Sequence, residues 1–568
     1  MHVTNMFHDG IFKILFFITH YLCLSENAFG VPTQPHIIFM VADDMGWNDA
    51  SFRGANQIPT PNIDAIAYNG IVLDRHYTLP SCSPSRAALL TGKYPIRMGM
   101  QGHPLLAGHA DGIPLEEKLL PEYLRELGYV TRLVGKWHVG YHNTSMTPLS
   151  RGFDSHFGYY NGYVGYRDAV HEWFNNSRGY DCYRDGERRK EEVVGKYLTD
   201  VYTEEAVKII NNHEGSERPL FLLISHLAPH TGAIGVLESR DEAVTSKKYR
   251  YIKDPLRRTY AGVMGALDDS LGAVVEALDA TNMLQNSIIV FISDNGGPTS
   301  FPSVLLQNSA SNWPLRGAKM SVFEGGVRGV AAVWSPLLKN PKRSSAGYMH
   351  ISDWLPTLYS AAGGNVEMLK DLDGLNQWDY LVYDGSESPR NELLVNIWER
   401  VGDWAIIKDE WKLVKVNSIA PLNHTQLFDG ESGRLDKRDT LNLVANSAVS
   451  KALRRNQPFG ALRREYEMRR ADLDMTRTTL CANRIATSES TPFPGPDPCT
   501  EKPCLFNIQQ DPCEFHDMAD QHPSVVDELK ELYESHAARL VKEQDHGFDP
   551  AAEPELWEGW WAPWLDSS

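Results

Sequence analysis

His36-Ile-Ile-Phe-Met-Val-Ala42 is an unbroken apolar run that ends directly on two acids, Asp43 and Asp44. A run without polar alternation suits a strand buried on both faces. Three further segments repeat this design. Residues 130–134 lead into Lys136 and His138, Leu220–Ser225 leads into His226 and His230, and residues 288–293 lead into Asp294 and Asn295. Helical patterns lie between the runs. The expected fold class is therefore α/β, with a large, mostly parallel central sheet flanked by helices. In such sheets ligands bind outside the carboxyl ends of the strands. Four strands delivering polar residues at the same end predict a site there. Of the intervening segments, residues 114–127 read as a helix stopped by Gly128. Residues 260–278 read as another, with Asp268 and Asp269 expected on its solvated face.

Outward from the first run stands CSPSRAALLTG, residues 82–92. Pro84 suits the first turn of a helix, where its missing N–H has no intrahelical role. Cys82 then sits at a helix N-terminus, among free N–H groups and at the positive end of the dipole. Arg86, one turn on, adds a fixed positive fork. The residues alone describe a cysteine in an anion-welcoming position. A capped surface helix with an incidental thiol fits a short match equally well.

The match is long. The stretch resembles the full signature of the sulfatase family, C-x-P-S-R-x-x-x-L-T-G, at every fixed position. The resemblance continues through VADDMGWND (residues 41–49), GKWHVG (135–140), SDNGG (293–297) and WPLRGAKMSVFEGGVRG (313–329), in the family's order. Together these span most of residues 36–360, and the pattern looks most like the arylsulfatase B (N-acetylgalactosamine-4-sulfatase) branch. The resemblance implies an alkaline-phosphatase-like sheet. It also implies that Cys82 is oxidised to formylglycine by a separate formylglycine-generating enzyme.

Asp43, Asp44, Asp294 and Asn295 offer hard oxygen donors, with no cysteine or histidine pair at zinc spacing nearby. Such a set suits calcium or magnesium. Taken singly, adjacent aspartates could equally cap a helix or shape a turn. The family resemblance implies one calcium ion per chain, held by these four residues and the modified Cys82. In the family, one hydroxyl of the aldehyde hydrate attacks sulfur and expels the alcohol. The second hydroxyl then loses its proton, sulfate leaves and the aldehyde returns. Carried over motif by motif, Arg86 steadies the hydrate, while Lys136 and His138 contact hydrate and sulfate, with His138 as base. Lys319 binds sulfate and the bridging oxygen. His230 is aligned with the family's histidine at the leaving group, leaving His226 as a supporting residue. One departure stands out: residues 101–112 lack the cysteines that staple this region in typical arylsulfatase B, which bears on substrate rather than reaction.

The chain has 568 residues and a formal net charge of −18. Its length calls for more than one core. Its acidity, with no basic stripe, argues against nucleic acid and anionic membranes as partners. Residues 1–30 read as a signal peptide: Lys13, a short apolar stretch, then Ala28 and Gly30. No later stretch is apolar enough to span a membrane. Secretory entry makes Asn143, Asn175 and Asn423 glycosylation candidates. It also favours disulfides among Cys182, Cys481, Cys499, Cys504 and Cys513. Cys504–Cys513 is the first expectation, with Cys499 as the alternative partner for either. A catalytic domain over 31–395 and a smaller antiparallel sheet-plus-helix domain over 396–568 are expected, with the aromatic tail docked back on the body. The expected destination is the secretory pathway, lysosomal or secreted.

The expected reaction is sulfate ester hydrolysis, with sulfated GalNAc of glycosaminoglycans as substrate. Small aryl or plant-derived sulfates such as glucosinolates are the alternative substrates. A non-catalytic secreted glycan-binding relative is the alternative from another class, but such a relative is expected to have lost a ligand or the nucleophile, and none is lost here.

Overall fold

The computed structural model describes residues 34–566 except 54–55, 174–176, 300–307, 384–386, 418–438, 455–456 and 476–497. The expected signal segment, Asn175, Asn423 and Cys481 lie outside the described residues.

The apolar runs form the centre of a ten-stranded sheet. Its order is β12 (Arg343–His350), β2 (Ile71–Tyr77), β11 (Ala331–Trp334), β10 (Ser287–Ser293), β1 (His36–Ala42), β9 (Leu220–Ser225), β3 (Val130–Lys136), β4 (Ser155–Tyr159), β7 (Tyr183–Arg184) and β8 (Glu187–Arg188). The five strands from β10 to β4 run parallel. Ile37 to Ala42, Leu220 to Ile224 and Ile288 to Ile292 are all fully or nearly fully buried, as continuous apolar strands between helix layers require. A separate two-stranded ribbon pairs β5 (Val170–Glu172) with β6 (Arg178–Tyr180). The register aligns the strand ends: Val41 lies beside Ser225, Ala42 beside Ser293, and Gly135 beside Ser225.

A four-stranded antiparallel sheet follows, ordered β13 (Glu392–Trp398), β14 (Asp403–Lys408), β15 (Trp411–Lys415) and β16 (Cys504–Asn507). The β14–β15 hairpin turns through Asp409 and Glu410, with Asp409 at φ 52°. A boundary at residue 396 falls inside β13, so the smaller sheet begins at Glu392. The chain beyond it is also divided. The helices Ala448–Leu453 and Phe459–Met475 pack back against the large-sheet body, where Tyr466 accepts from Asn69 and Arg454 donates to it. The aromatic tail docks there too, with Trp561 fully buried and its indole donating to His171 O.

Three expectations need correction. The helix read over 114–127 covers only Leu120–Glu126, because Pro121 is tolerated in a first turn but not in an interior. Asp268 is buried rather than solvated; it accepts from the backbone N–H groups of Asn62 and Ile63, which begin the helix Pro61–Asn69. Only Asp269 is exposed, paired with Arg240. Cys504 bonds Cys499 instead of Cys513. The turn Pro498–Thr500 returns Cys499 to a Cα separation of 5.1 Å from Cys504, within disulfide reach, while β16 carries the chain extended away toward Cys513. Cys513 is disulfide-bonded as well, and Cys82 and Cys182 are free.

Candidate active site

β1 and β10 end side by side, so Asp43, Asp44, Asp294 and Asn295 converge. Asp294 N–H donates to Ala42 O at 3.1 Å, and Asp44 N–H donates to Asp294 Oδ1 at 3.2 Å. Asp44 adopts φ 64°, a strained conformation for a residue with a side chain, which turns its carboxylate back across the strand ends. The helix Cys82–Thr91 follows β2 on the same rim, with Cys82 in its first turn and only 2% exposed.

Three cations meet the three carboxylates. Arg86 donates to Asp294 Oδ2 at 2.8 and 3.2 Å and also to Ser225 Oγ. Lys136, at the end of β3, donates to Asp43 Oδ2 at 2.6 Å. Lys319 reaches Asp44 from the loop after β10, at 2.7 and 2.8 Å. Asn295 donates to Asp44 Oδ1 at 2.7 Å. Two buried oxygens, Asp43 Oδ1 and Asn295 Oδ1, have no protein partner.

The two histidines after β9 take different places. His226 is buried and contacts Ser270 Oγ at 2.9 Å. His230 stacks on Tyr163 and brings Nε2 to 3.3 Å from Asp44 Oδ2. Its Nδ1 lies 2.6 Å from Thr231 O, which can only accept, so Nδ1 carries hydrogen. Burial holds the ring neutral, with its pKa lowered to about 3 although Asp44 opposes the shift. The Nε2 lone pair therefore faces a carboxylate oxygen, and two lone pairs in that relation call for a proton or a cation. Asp43, Asp44 and His230 form a cluster whose ligand atoms all lie within 4.8 Å of one another. Together with the unpartnered oxygens, this donor set fits a hard cation.

His138 has φ 59° and a similar logic. Its Nε2 lies 2.9 Å from Leu105 O and so carries hydrogen, which leaves Nδ1 a buried lone pair without a protein partner. Burial, then Lys136, drives its pKa well below the usual range. Burial also raises the Cys82 thiol, against the pull of Lys136 and Lys319. As a thiol, Cys82 is thus no ready nucleophile. Sequence reasoning missed Ser225, Tyr163 and the Leu105 carbonyl, because ordinary residue types in those segments carry no motif.

The site therefore gathers Cys82, Arg86, Lys136, His138, His230, Lys319, Asp43, Asp44, Asp294 and Asn295 on one rim of the sheet. The sulfatase family model matches residues 35–364, and the chain belongs to that family. It is a sulfuric ester hydrolase. Arylsulfatase J of Mus musculus is 33% identical over 94% of this chain and 80% of its own length. N-acetylgalactosamine-6-sulfatase of Homo sapiens is 35% identical over 62% of this chain and 66% of its own length. Among solved structures, Ps i-CgsB in complex with k-i-k-neocarrahexaose has a TM-score of 0.69 at 27% identity, covering 92% of this chain and 97% of that one. These relatives support the family, while the likeness to the arylsulfatase B branch in particular is only loosely matched.

Proposed function

We propose that the chain hydrolyses sulfate esters of sugars by a formylglycine made from Cys82, with calcium held by Asp43, Asp44, Asp294, Asn295 and the modified Cys82. The observation that carries this reading is the buried Cys82 beside a carboxylate cluster with two unpartnered oxygens. When bound, the ion and the aldehyde hydrate supply a Lewis acid and an oxygen nucleophile that the unmodified side chains lack. Arg86, fixed by Asp294 and Ser225, steadies the nucleophile's position. Lys136 and Lys319 face the transferring sulfuryl oxygens with positive charge. His138 takes a proton at Nδ1, the free lone pair that its bond to Leu105 leaves. His230 turns the free Nε2 into the site beside Asp44, and a proton taken up there is the one donated to the leaving oxygen.

Sulfated GalNAc of glycosaminoglycans is the proposed substrate, supported by the names of the relatives. The secretory pathway, ending in lysosome or outside the cell, is the proposed location, with the formylglycine-generating enzyme as maturation partner. No described helix is long and apolar enough to cross a membrane. Asn143, partly exposed, remains a glycosylation candidate. Intact mass of the Cys82 peptide tests the chemistry, since an unmodified thiol in fully active protein contradicts it. Cys82→Ser is expected to accumulate a sulfated serine and stop turning over. Activity on a chromogenic aryl sulfate, sulfated GalNAc and small sulfated metabolites separates the substrate classes.

A further inference from the structure

The loop that carries Lys319 is closed on itself and tied at two ends. Gly325 N–H donates to Arg316 O at 2.7 Å, closing residues 316–325. On the catalytic side, Lys319 N–H donates to Gly297 O and Met320 N–H donates to Pro80 O at 2.7 Å. Pro80 stands just before the Cys82 helix.

The other side of the loop meets the small sheet through buried charges. Lys412, on β15, is fully buried. Its Nζ donates to Glu324 Oε1 at 2.9 Å and lies 2.9 Å from Glu514 Oε1, the latter without hydrogen-bond alignment. Glu514 Oε2 accepts from Glu324 N–H at 2.7 Å, and Glu514 O accepts from Arg316 at 3.2 Å. The remaining Glu324 oxygen accepts from the Tyr77 hydroxyl at 2.8 Å, with Arg328 at 3.4 Å. Tyr77 ends β2, the strand that leads to Cys82. One lysine of the small sheet therefore holds a glutamate that belongs to the Lys319 loop and bonds the end of the strand leading to Cys82.

We propose that Lys412 is a positioning residue: through Glu324 and Glu514 it fixes the 316–325 loop and so the placement of Lys319 on the sulfuryl group. This inference rests on the role given to Lys319 above. Removing only Lys412 leaves carboxylates buried without their cation, which is costly because uncompensated charge does not relax into the interior. Glu324 lies in the 316–325 loop itself, so that loop takes up the change first. A displacement at Lys319 would then reach the chemistry without any contact between Lys412 and substrate.

A double-mutant cycle on full-length enzyme, with Cys82 conversion measured by mass, decides the matter. The variants are Lys412→Met, Lys319→Ala and the double, assayed on a chromogenic aryl sulfate. Lys412→Met is expected to lower kcat/KM roughly 10- to 100-fold, the scale for loss of an outer positioning contact. In the Lys319→Ala background the same change is expected to do almost nothing further, because the two act through one group. If its full effect persists there, the proposal is overturned. If Lys319→Ala itself behaves as wild type, the reading of Lys319 fails instead, which keeps the two failures apart. Should Lys412→Met not fold, Glu514→Gln keeps the Lys412–Glu324 pair and is put through the same cycle. A smaller drop in kcat/KM that vanishes beside Lys319→Ala supports the proposal, and a drop that persists overturns it.

Discussion

Two groups of buried charges flank the loop that carries Lys319, and they are built from the same kinds of residue. At the strand ends, Asp43, Asp44 and Asp294 meet Arg86, Lys136 and Lys319. At the small sheet, Glu324 and Glu514 meet Lys412 and Arg328. Burial and charge do not tell them apart. What differs is satisfaction. The first group keeps unpartnered oxygens on Asp43 and Asn295 and a histidine lone pair facing Asp44. In the second, both Glu324 oxygens are engaged, and the one oxygen without a hydrogen bond, Glu514 Oε1, lies 2.9 Å from the Lys412 ammonium. Burial, then the neighbouring Glu324 charge, raises the Glu514 carboxyl to about 7, so a proton settles the surplus that in the first group is left for a ligand. Unmet bonding capacity, rather than charge, marks a site.

The largest expected effect breaks the first group. Asp294→Asn removes a ligand charge and Arg86's partner at nearly constant shape. Turnover should fall to background and bound calcium should disappear by elemental analysis, while circular dichroism stays near wild type. Full turnover in this variant would remove Asp294 from the ligand set. Stripping the metal with a chelator should have the same effect on rate, reversed by added calcium.

The next effect separates the two histidines. His230→Ala should lower kcat by roughly two to four powers of ten, the usual scale for a lost general acid. The deficit should shrink for substrates with good phenolic leaving groups. His226→Ala, which loses the contact to Ser270 and the ring packing on Tyr202, should mainly lower thermal stability. The reverse pattern of rates would exchange the two roles.

Smaller effects belong to buried acids away from the chemistry. Asp268→Ala uncaps the helix Pro61–Asn69 and should lower stability by about 1–3 kcal/mol in denaturant unfolding, with turnover unchanged. Glu514→Gln should alter a pH profile. Burial raises the native carboxyl from the ordinary glutamate value of 4.5 to about 7, so stability from this group is present at low pH and lost as pH rises through that window. The glutamine variant should therefore show a flatter fall in stability between those pH values. An unchanged slope would mean Glu514 does not carry the proton.

Much of the site was legible because its residues follow strand ends. Asp43, Asp44, Lys136, Asp294 and Asn295 each terminate or immediately follow an apolar run, and parallel register alone brings such ends together. Asp268 was misread because helical spacing ranks faces by neighbours on the same helix. Its partners, Asn62 and Ile63, come from a helix some two hundred residues earlier in the chain. Cys504 was misassigned for a related reason: the shorter route to Cys499 depends on a turn that spacing does not encode.

The sequence by itself determined the family, the parallel sheet, the rim on which the site lies and the residue types that meet there. These are properties of local pattern: apolar runs of strand length and a long, ordered set of motifs. Only the tertiary structure decided which nitrogen of His138 and His230 is free, which oxygens of Asp43 and Asn295 go unpaired, and that Lys412 reaches Glu324 across 88 residues. Hydrogen-bond partnership between distant segments depends on distances of a few tenths of an ångström, and those are set only when the sheets and loops close on one another.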